Sequence, residues 1–190
     1  MLSELVKRCR TYRRFYEDVR ITDEELMELV DLARLTASTA NSQALKFKII
    51  NTPEENEKVF ATLGWAGALP DWDGPEPGER PSAYILICCD LDLAKNKPVD
   101  DGIAAQTIML GAVEKGYGGC MLANVQRSQL AEALAIDTER YSIDLVLALG
   151  KPKEEVVIVP VGEDGDVKYY RDENQVHYVP KRGLDEILMK

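Results

Sequence analysis

Histidine is almost missing from this chain: one residue, His177, stands in 190. A single imidazole weakens any Ser-His or Cys-His nucleophile pair and any histidine-based metal site. His177 itself reads as an ordinary surface or interface histidine. No G-x-G-x-x-G follows a strand pattern and no G-x-x-x-x-G-K-S/T occurs, so two common phosphate-binding fingerprints are absent. The four cysteines, Cys9, Cys88, Cys89 and Cys120, fit no metal spacing, so no metal is expected. They read as reduced structural thiols, which places the protein in the cytoplasm. No apolar run reaches the length of a membrane-spanning helix, and the first four residues turn polar too early for a secretory signal. Positive charge is scarce, with 23 Lys and Arg against 33 Asp and Glu and a net charge of -10. That balance argues against nucleic acid as the main partner. Hydrolytic chemistry is therefore poorly supported.

Against this acidic background one stretch stands out. Residues 8–15 read R-C-R-T-Y-R-R-F, with Arg8, Arg10, Arg13 and Arg14 close together and Thr11 adding a hydroxyl. If residues 2–10 begin helical, the cations lie near that helix's C-terminus, where the dipole favours them. Guanidinium forks suit phosphate and stay charged. The functional reading is a grip on the anionic end of a cofactor. The competing reading is a solvated helix end with surface ion pairs.

The rest of the chain has the length of one domain, residues 1–190, and an ordinary globular composition of 45% apolar and 29% charged residues. Thr22 and Glu25 form a capping box that opens a helix over 23–35, with Leu26, Leu29, Val30 and Ala33 at helical spacing. Residues 36–43, T-A-S-T-A-N-S-Q, are small and polar and read as a loop. Alternating Leu45, Phe47 and Ile49 predict a half-buried strand over 45–51. Thr52 and Glu55 form a second box, with Pro53 at the first helical position. Residues 64–80 are a long loop holding Trp65 and Trp72, a candidate cover over a pocket or a contact with a second chain; equally, the rings could pin the loop to the core. Residues 83–89 are a continuous apolar run that fits a central strand. Pro98 opens a helix over 99–115, apolar on more than one face and rich in small residues, which suits deep burial, including the middle of a dimer. A glycine turn at 116–119, a strand over 120–123, and a short helix capped by Ser128 follow. A strand over 143–149 comes next, then a hairpin in which residues 163–166 join 156–161 to 167–170. Residues 171–190 form a charged C-terminal arm whose Leu184, Ile187 and Leu188 want a surface, expected on a partner subunit. Strands and helices alternate without a regular βαβ rhythm, so the class is α+β.

The donors that remain are the arginine stretch, the 38–43 loop, the glycine turn at 118–119 and Lys181-Arg182. A phosphate-bearing organic cofactor needs such a set and would then carry the chemistry. At this point the chain resembles the nitroreductase family of FMN-dependent oxidoreductases. Residues 9–15 resemble its opening R-R-S-x-R-x-F, and residues 37–43 with Phe47 resemble P-S-x-x-N-x-Q-P-W-x-F. Residues 115–120 resemble its G-L-G-T-C turn, and residues 179–182 its C-terminal basic element. The four pieces follow family order along nearly the whole chain.

The resemblance implies an α+β fold with a central, mainly antiparallel sheet flanked by helices, forming an intertwined homodimer with FMN at the subunit interface. It implies Arg10 and Thr11 at the FMN phosphate and ribityl chain, and Arg13 at the flavin's pyrimidine edge, where a fixed charge stabilises the reduced form. Ser38, Asn41 and Gln43 would line the ring or ribityl chain. Gly119 would let backbone approach the ring, and Lys181 or Arg182 would close on the phosphate. Two departures stand: Cys9 replaces the motif's first arginine, with Arg8 one residue earlier, and Ala44-Leu45 replaces Pro-Trp. The implied activity is ping-pong reduction of a small aromatic or quinone-like acceptor by NADH or NADPH, with Trp65 and Trp72 as possible stacking partners. The alternatives are a reductive dehalogenase or enone reductase on the same flavin, a flavin-binding electron-transfer or sensor module, and a flavin-free acidic interaction domain.

Overall fold

The computed structural model describes residues 1–69, 71–94 and 99–189. In chain order the elements are α1 (Leu2–Arg8), β1 (Phe15–Tyr16), α2 (Asp23–Arg34), β2 (Leu45–Ile50), α3 (Pro53–Phe60), β3 (Ala83–Asp90), α4 (Asp100–Glu114) and β4 (Gly118–Leu122). There follow α5 (Arg127–Ala133), β5 (Tyr141–Pro152), β6 (Val156–Pro160), β7 (Tyr170–Arg171), β8 (His177–Lys181) and α6 (Leu184–Ile187). Pro98 lies outside the described residues. The family's expected layout is present: a mainly antiparallel sheet between helices. β5 pairs antiparallel with β3, β4 and β1, and β3 pairs antiparallel with β2 from Leu45 opposite Cys89 to Ile50 opposite Tyr84.

The continuous apolar run of β3 has a simple cause: both faces of the strand are covered. Ile85, Ile87, Leu147 and Leu149 face α2 and α4 through Leu26, Leu29, Ala104, Ala105, Ile108 and Ala112. Tyr84, Leu86, Val146 and Ala148 face the other way, onto Val59 of α3, Trp65 and Leu130 of α5. Every β3 residue is buried. α2 starts at the capping box read from the sequence, with Thr22 Oγ1 accepting from Glu25 N–H at 3.2 Å and Glu25 Oε2 accepting from Thr22 N–H at 3.1 Å. α3 keeps half of its box: the Thr52 hydroxyl accepts from Glu55 N–H, and the same hydroxyl donates to the Glu55 carboxylate.

The small residues of α4 serve two ends. A Cβ on Gly111 would stand 2.7 Å from Leu32 and 2.9 Å from Leu29, so this glycine lets α2 pack close within the protomer. Nearer the start of α4, Gly102 has open space beside it and Ile103 is 37% exposed. α1 lies against α4 with Leu2 and Val6 exposed. Among the described residues no helix is long and apolar enough to cross a membrane.

Two local expectations need correction. Ser128 sits inside α5, not at its cap, and the capping position, Gln126, makes no side-chain bond. The 163–166 turn does not pair its flanks. β6 runs parallel to β8, and β7 joins β8 from the other side. The reason is local: Asp164 and Asp166 accept the N–H groups of Asp166 and Lys168, so aspartate side chains take the donors a hairpin ladder would have used.

Candidate functional site

α1 ends at Arg8, and the chain then turns onto the sheet. Thr11 forms a parallel bridge with Gly119, and Tyr12 N–H donates to Gly119 O at 2.9 Å. A Cβ on Gly119 would meet Ala148 O at 2.2 Å, so this glycine is demanded by the sheet beneath it. That packing accounts for the residue without any ring against it. Arg10 Nη2 donates to Val6 O at 2.8 Å, and its Nε is buried without a hydrogen-bond partner. Among the described residues Arg10 has no carboxylate partner. Thr11 is exposed. Arg8 Nη2 turns to Val113 O at 3.3 Å, in the last turn of α4, where the helix dipole favours a cation. Cys9, in place of the motif's first arginine, is half-buried with Sγ 3.6 Å from Gln106 Nε2, and burial pushes its thiol pKa up.

Arg13 and Arg14 behave differently. Arg13 is 8% exposed, with its guanidinium 4.6 Å from the Tyr169 ring centroid and Nη1 3.4 Å from His177 Nε2. It is enclosed by the chain's own C-terminal segment. Arg14 Nε pairs with Glu79 at 2.6 Å, and Lys153 pairs with the same carboxylate at 2.9 Å. His177, read as a surface or interface residue, is 1% exposed. Burial, then Arg13 and Arg171, pull its pKa down to about 4.

The 38–43 loop is fixed from below. The Asp100 carboxylate, buried in the first turn of α4, accepts from Thr39 N–H at 2.9 Å and from the Thr39 hydroxyl at 2.6 Å. Ser38 Oγ accepts from Gln43 N–H at 2.9 Å. Ala40, Asn41 and Gln43 all hold positive φ, at 51°, 54° and 50°, which costs energy for residues with a Cβ. The loop borders a cavity of about 280 Å³ lined by Ser38, Gln43, Lys46, Phe47 and Asp100. Asn41 and Gln43 are exposed. Asp100 and the Cys9 contact Gln106 lie six residues apart on α4, roughly 9 Å of helix rise. One helix thus carries both donor loops.

The other expected residues are elsewhere. Lys181, the last residue of β8, and Arg182 just after it are exposed, and Arg182 pairs with Glu186 at 3.4 Å. His177, at the other end of that strand, is the residue that meets Arg13, so Lys181 is about 13 Å further along. Within a protomer the described contacts do not join Lys181 or Arg182 to Arg10. Trp65 is a core residue: it is 9% exposed, 5.8 Å from the Phe60 ring, and Gly74 packs on it at φ +124°. Trp72 stacks under Arg171 at 4.3 Å. Both rings pin the 64–80 loop rather than cover an open pocket. In the arm, residues 171–181 lie on their own chain, while Leu184, Ile187 and Leu188 remain 59–69% exposed.

Two buried carboxylates that hold these loops, Asp100 and Glu154, escaped the sequence reading. Asp100 had a signal, an acidic pair at the start of a helix. Nothing marked Glu154, inside K-P-K-E-E, which reads as a charged surface turn.

With this geometry in hand, comparison with known proteins is direct. The profile of the Nitroreductase family matches residues 6–71 and 90–151. The chain belongs to the nitroreductase family. It is 29% identical to the Archaeoglobus fulgidus protein named "Putative NADH dehydrogenase/NAD(P)H nitroreductase", over 81% of this chain and 88% of that one. A Desulfovibrio desulfuricans structure described as a "putative nitroreductase in complex with FMN" superposes with a TM-score of 0.71 at 22% identity, covering 100% of this chain and 95% of that one. CLA-ER, described as an enone reductase of gut-bacterial fatty acid metabolism, superposes at 0.66 with 19% identity, covering 81% and 90%.

Proposed function

We propose that this protein is an FMN-dependent oxidoreductase that uses NADH or NADPH to reduce a small aromatic or quinone-like acceptor. The observation that carries the reading is Arg10. In so acidic a chain it has no carboxylate partner among the described residues, it keeps a buried unpartnered Nε, and Thr11 stands exposed beside it. That donor set fits a phosphate monoester. Ser38, Asn41 and Gln43 form a second donor group for the ribityl chain or ring. Lys181 and Arg182 would complete the phosphate grip from a partner subunit, and Gly119 carries the strand on which Thr11 is mounted. Arg13, the expected neighbour of the pyrimidine edge, holds its guanidinium against Tyr169 and His177 within the protomer. The exposed apolar faces of α1 and early α4, with the uncovered Leu184, Ile187 and Leu188, support a homodimer in which the arm lies on the partner. Four thiols with no disulfide among the described residues support a cytoplasmic location.

When bound, FMN supplies the two-electron exchange between nicotinamide and acceptor. The chain's own part is to bind, orient and exclude. No residue here is needed as a general base, because protons can come from water or the acceptor. The named relatives favour the nicotinamide-linked reading, and the enone reductase among the structural neighbours keeps that acceptor class as the second reading. Purified protein should be yellow or become so with FMN. It should bleach with NADH or NADPH and recover colour with a quinone or nitroaromatic. Recovery only with an enone would favour the second reading. A protein that stays colourless in excess FMN would refute both.

A further inference from the structure

We infer that Glu154 is a positioning residue for the phosphate donors, holding the arginine stretch and the C-terminal segment with one carboxylate. The inference rests on the flavin reading above and deepens it. The Glu154 side chain is 1% exposed. Oε1 accepts the backbone N–H of Arg13 and, at 3.3 Å, that of Arg14. Oε2 accepts from Arg171 Nη2 at 3.1 Å. Its neighbours repeat the bracing: Lys153 N–H donates to Arg14 O at 2.9 Å, and Glu155 O accepts from His177 N–H at 2.9 Å. Residues 153–155 therefore tie a segment near the start of the chain to one near its end.

The arrangement tolerates little movement. If the carboxylate swings out, two partly buried N–H groups lose their acceptor and Arg171 loses its counter-charge. Arg13, stacked over Tyr169 and beside His177, also repels Arg171 electrostatically, and that repulsion then goes without the carboxylate's charge. Arg10 and Thr11 stand just before this clamp, and Thr11 is fixed on its other side by Gly119. Donors presented from a stretch held at both ends lose less freedom when an anion arrives.

The test is FMN affinity, read from quenching of flavin fluorescence, for the wild type and four variants. Glu154→Ala should weaken binding by at least about tenfold, the loss expected when a charge-assisted acceptor disappears. Glu154→Gln keeps an amide oxygen for the two N–H groups but drops the charge opposite Arg171, and should bind between the wild type and Glu154→Ala. Glu154→Asp keeps the charge but withdraws it by one methylene, and should bind about fivefold or more weakly. Glu155→Ala, which keeps its backbone carbonyl, should stay within about twofold. If Glu154→Ala does not fold, the Asp and Gln variants decide: either one binding FMN about threefold or more weakly than wild type supports the inference, and both binding like wild type overturns it. A folded Glu154→Ala that binds FMN like wild type also overturns it while leaving the flavin reading intact. A wild type that binds no FMN overturns both.

Discussion

Within seven residues the chain carries two kinds of arginine. Arg13 and Arg14 are spent on the protein: one is enclosed by Tyr169 and His177, the other is paired with Glu79. Arg10 is not; its side chain bonds only the Val6 carbonyl of the preceding helix α1 and leaves Nε unpartnered. Identical side chains thus divide by which carboxylates and rings the fold brings to them. The committed pair closes the C-terminal segment onto the sheet. The uncommitted one, with Thr11, is what remains for a ligand. Composition could not make that division, because it depends on Glu79, Glu154 and His177, which are 65 or more positions away from the arginines they meet.

The division can be broken at several points. The largest effect should come from the mount of the free half. Gly119→Ala places a Cβ against Ala148 O, and should cost about 3 kcal/mol of stability through overpacking, measured by denaturant unfolding. FMN affinity should fall with it, because Thr11 and Tyr12 hang on that strand. A variant of wild-type stability would mean that the glycine serves a ligand after all.

The committed half can be probed through His177. Its pKa is about 4 in the folded protein, against about 6.5 when unfolded. Between those values the unfolded chain takes up a proton that the folded one refuses. This contribution to stability is therefore intact at neutral pH and shrinks as pH falls from about 6.5 to about 4, by about 1.4 kcal/mol per pH unit. Replacing His177 with Gln should remove that slope from urea midpoints measured across the window. An NMR titration of the chain's single histidine with a midpoint near 6.5 would show that the ring is not enclosed.

A smaller effect is expected at Arg14. Its pair with Glu79 is partly exposed and shared with Lys153, so Arg14→Ala should cost about 1 kcal/mol of stability. Its FMN affinity should hardly change.

How much of this was legible beforehand follows the range of the interactions. The Thr22–Glu25 box, the central strand and the helix that follows it were readable because neighbours in sequence determine them. The 163–166 turn misled because its aspartates solve their hydrogen bonding locally while the real pairing, β6 with β8, is parallel and distant. At the site, residue types identified the arginine stretch and the 38–43 loop, but not their supports. Asp100 is one of two adjacent aspartates, and only the packing of α4 selects which turns inward. Trp65 was open between pocket cover and core anchor, and it is core because Phe60 and Gly74 close around it.

The most direct measurement sets FMN dissociation constants of the wild type, Arg10→Ala and Arg14→Ala side by side with their melting temperatures. Losing Arg10 should weaken FMN by about tenfold or more, as a charge-assisted phosphate contact would, and leave melting unchanged. Losing Arg14 should do the reverse. An Arg10→Ala protein that holds FMN as tightly as the wild type would contradict the account.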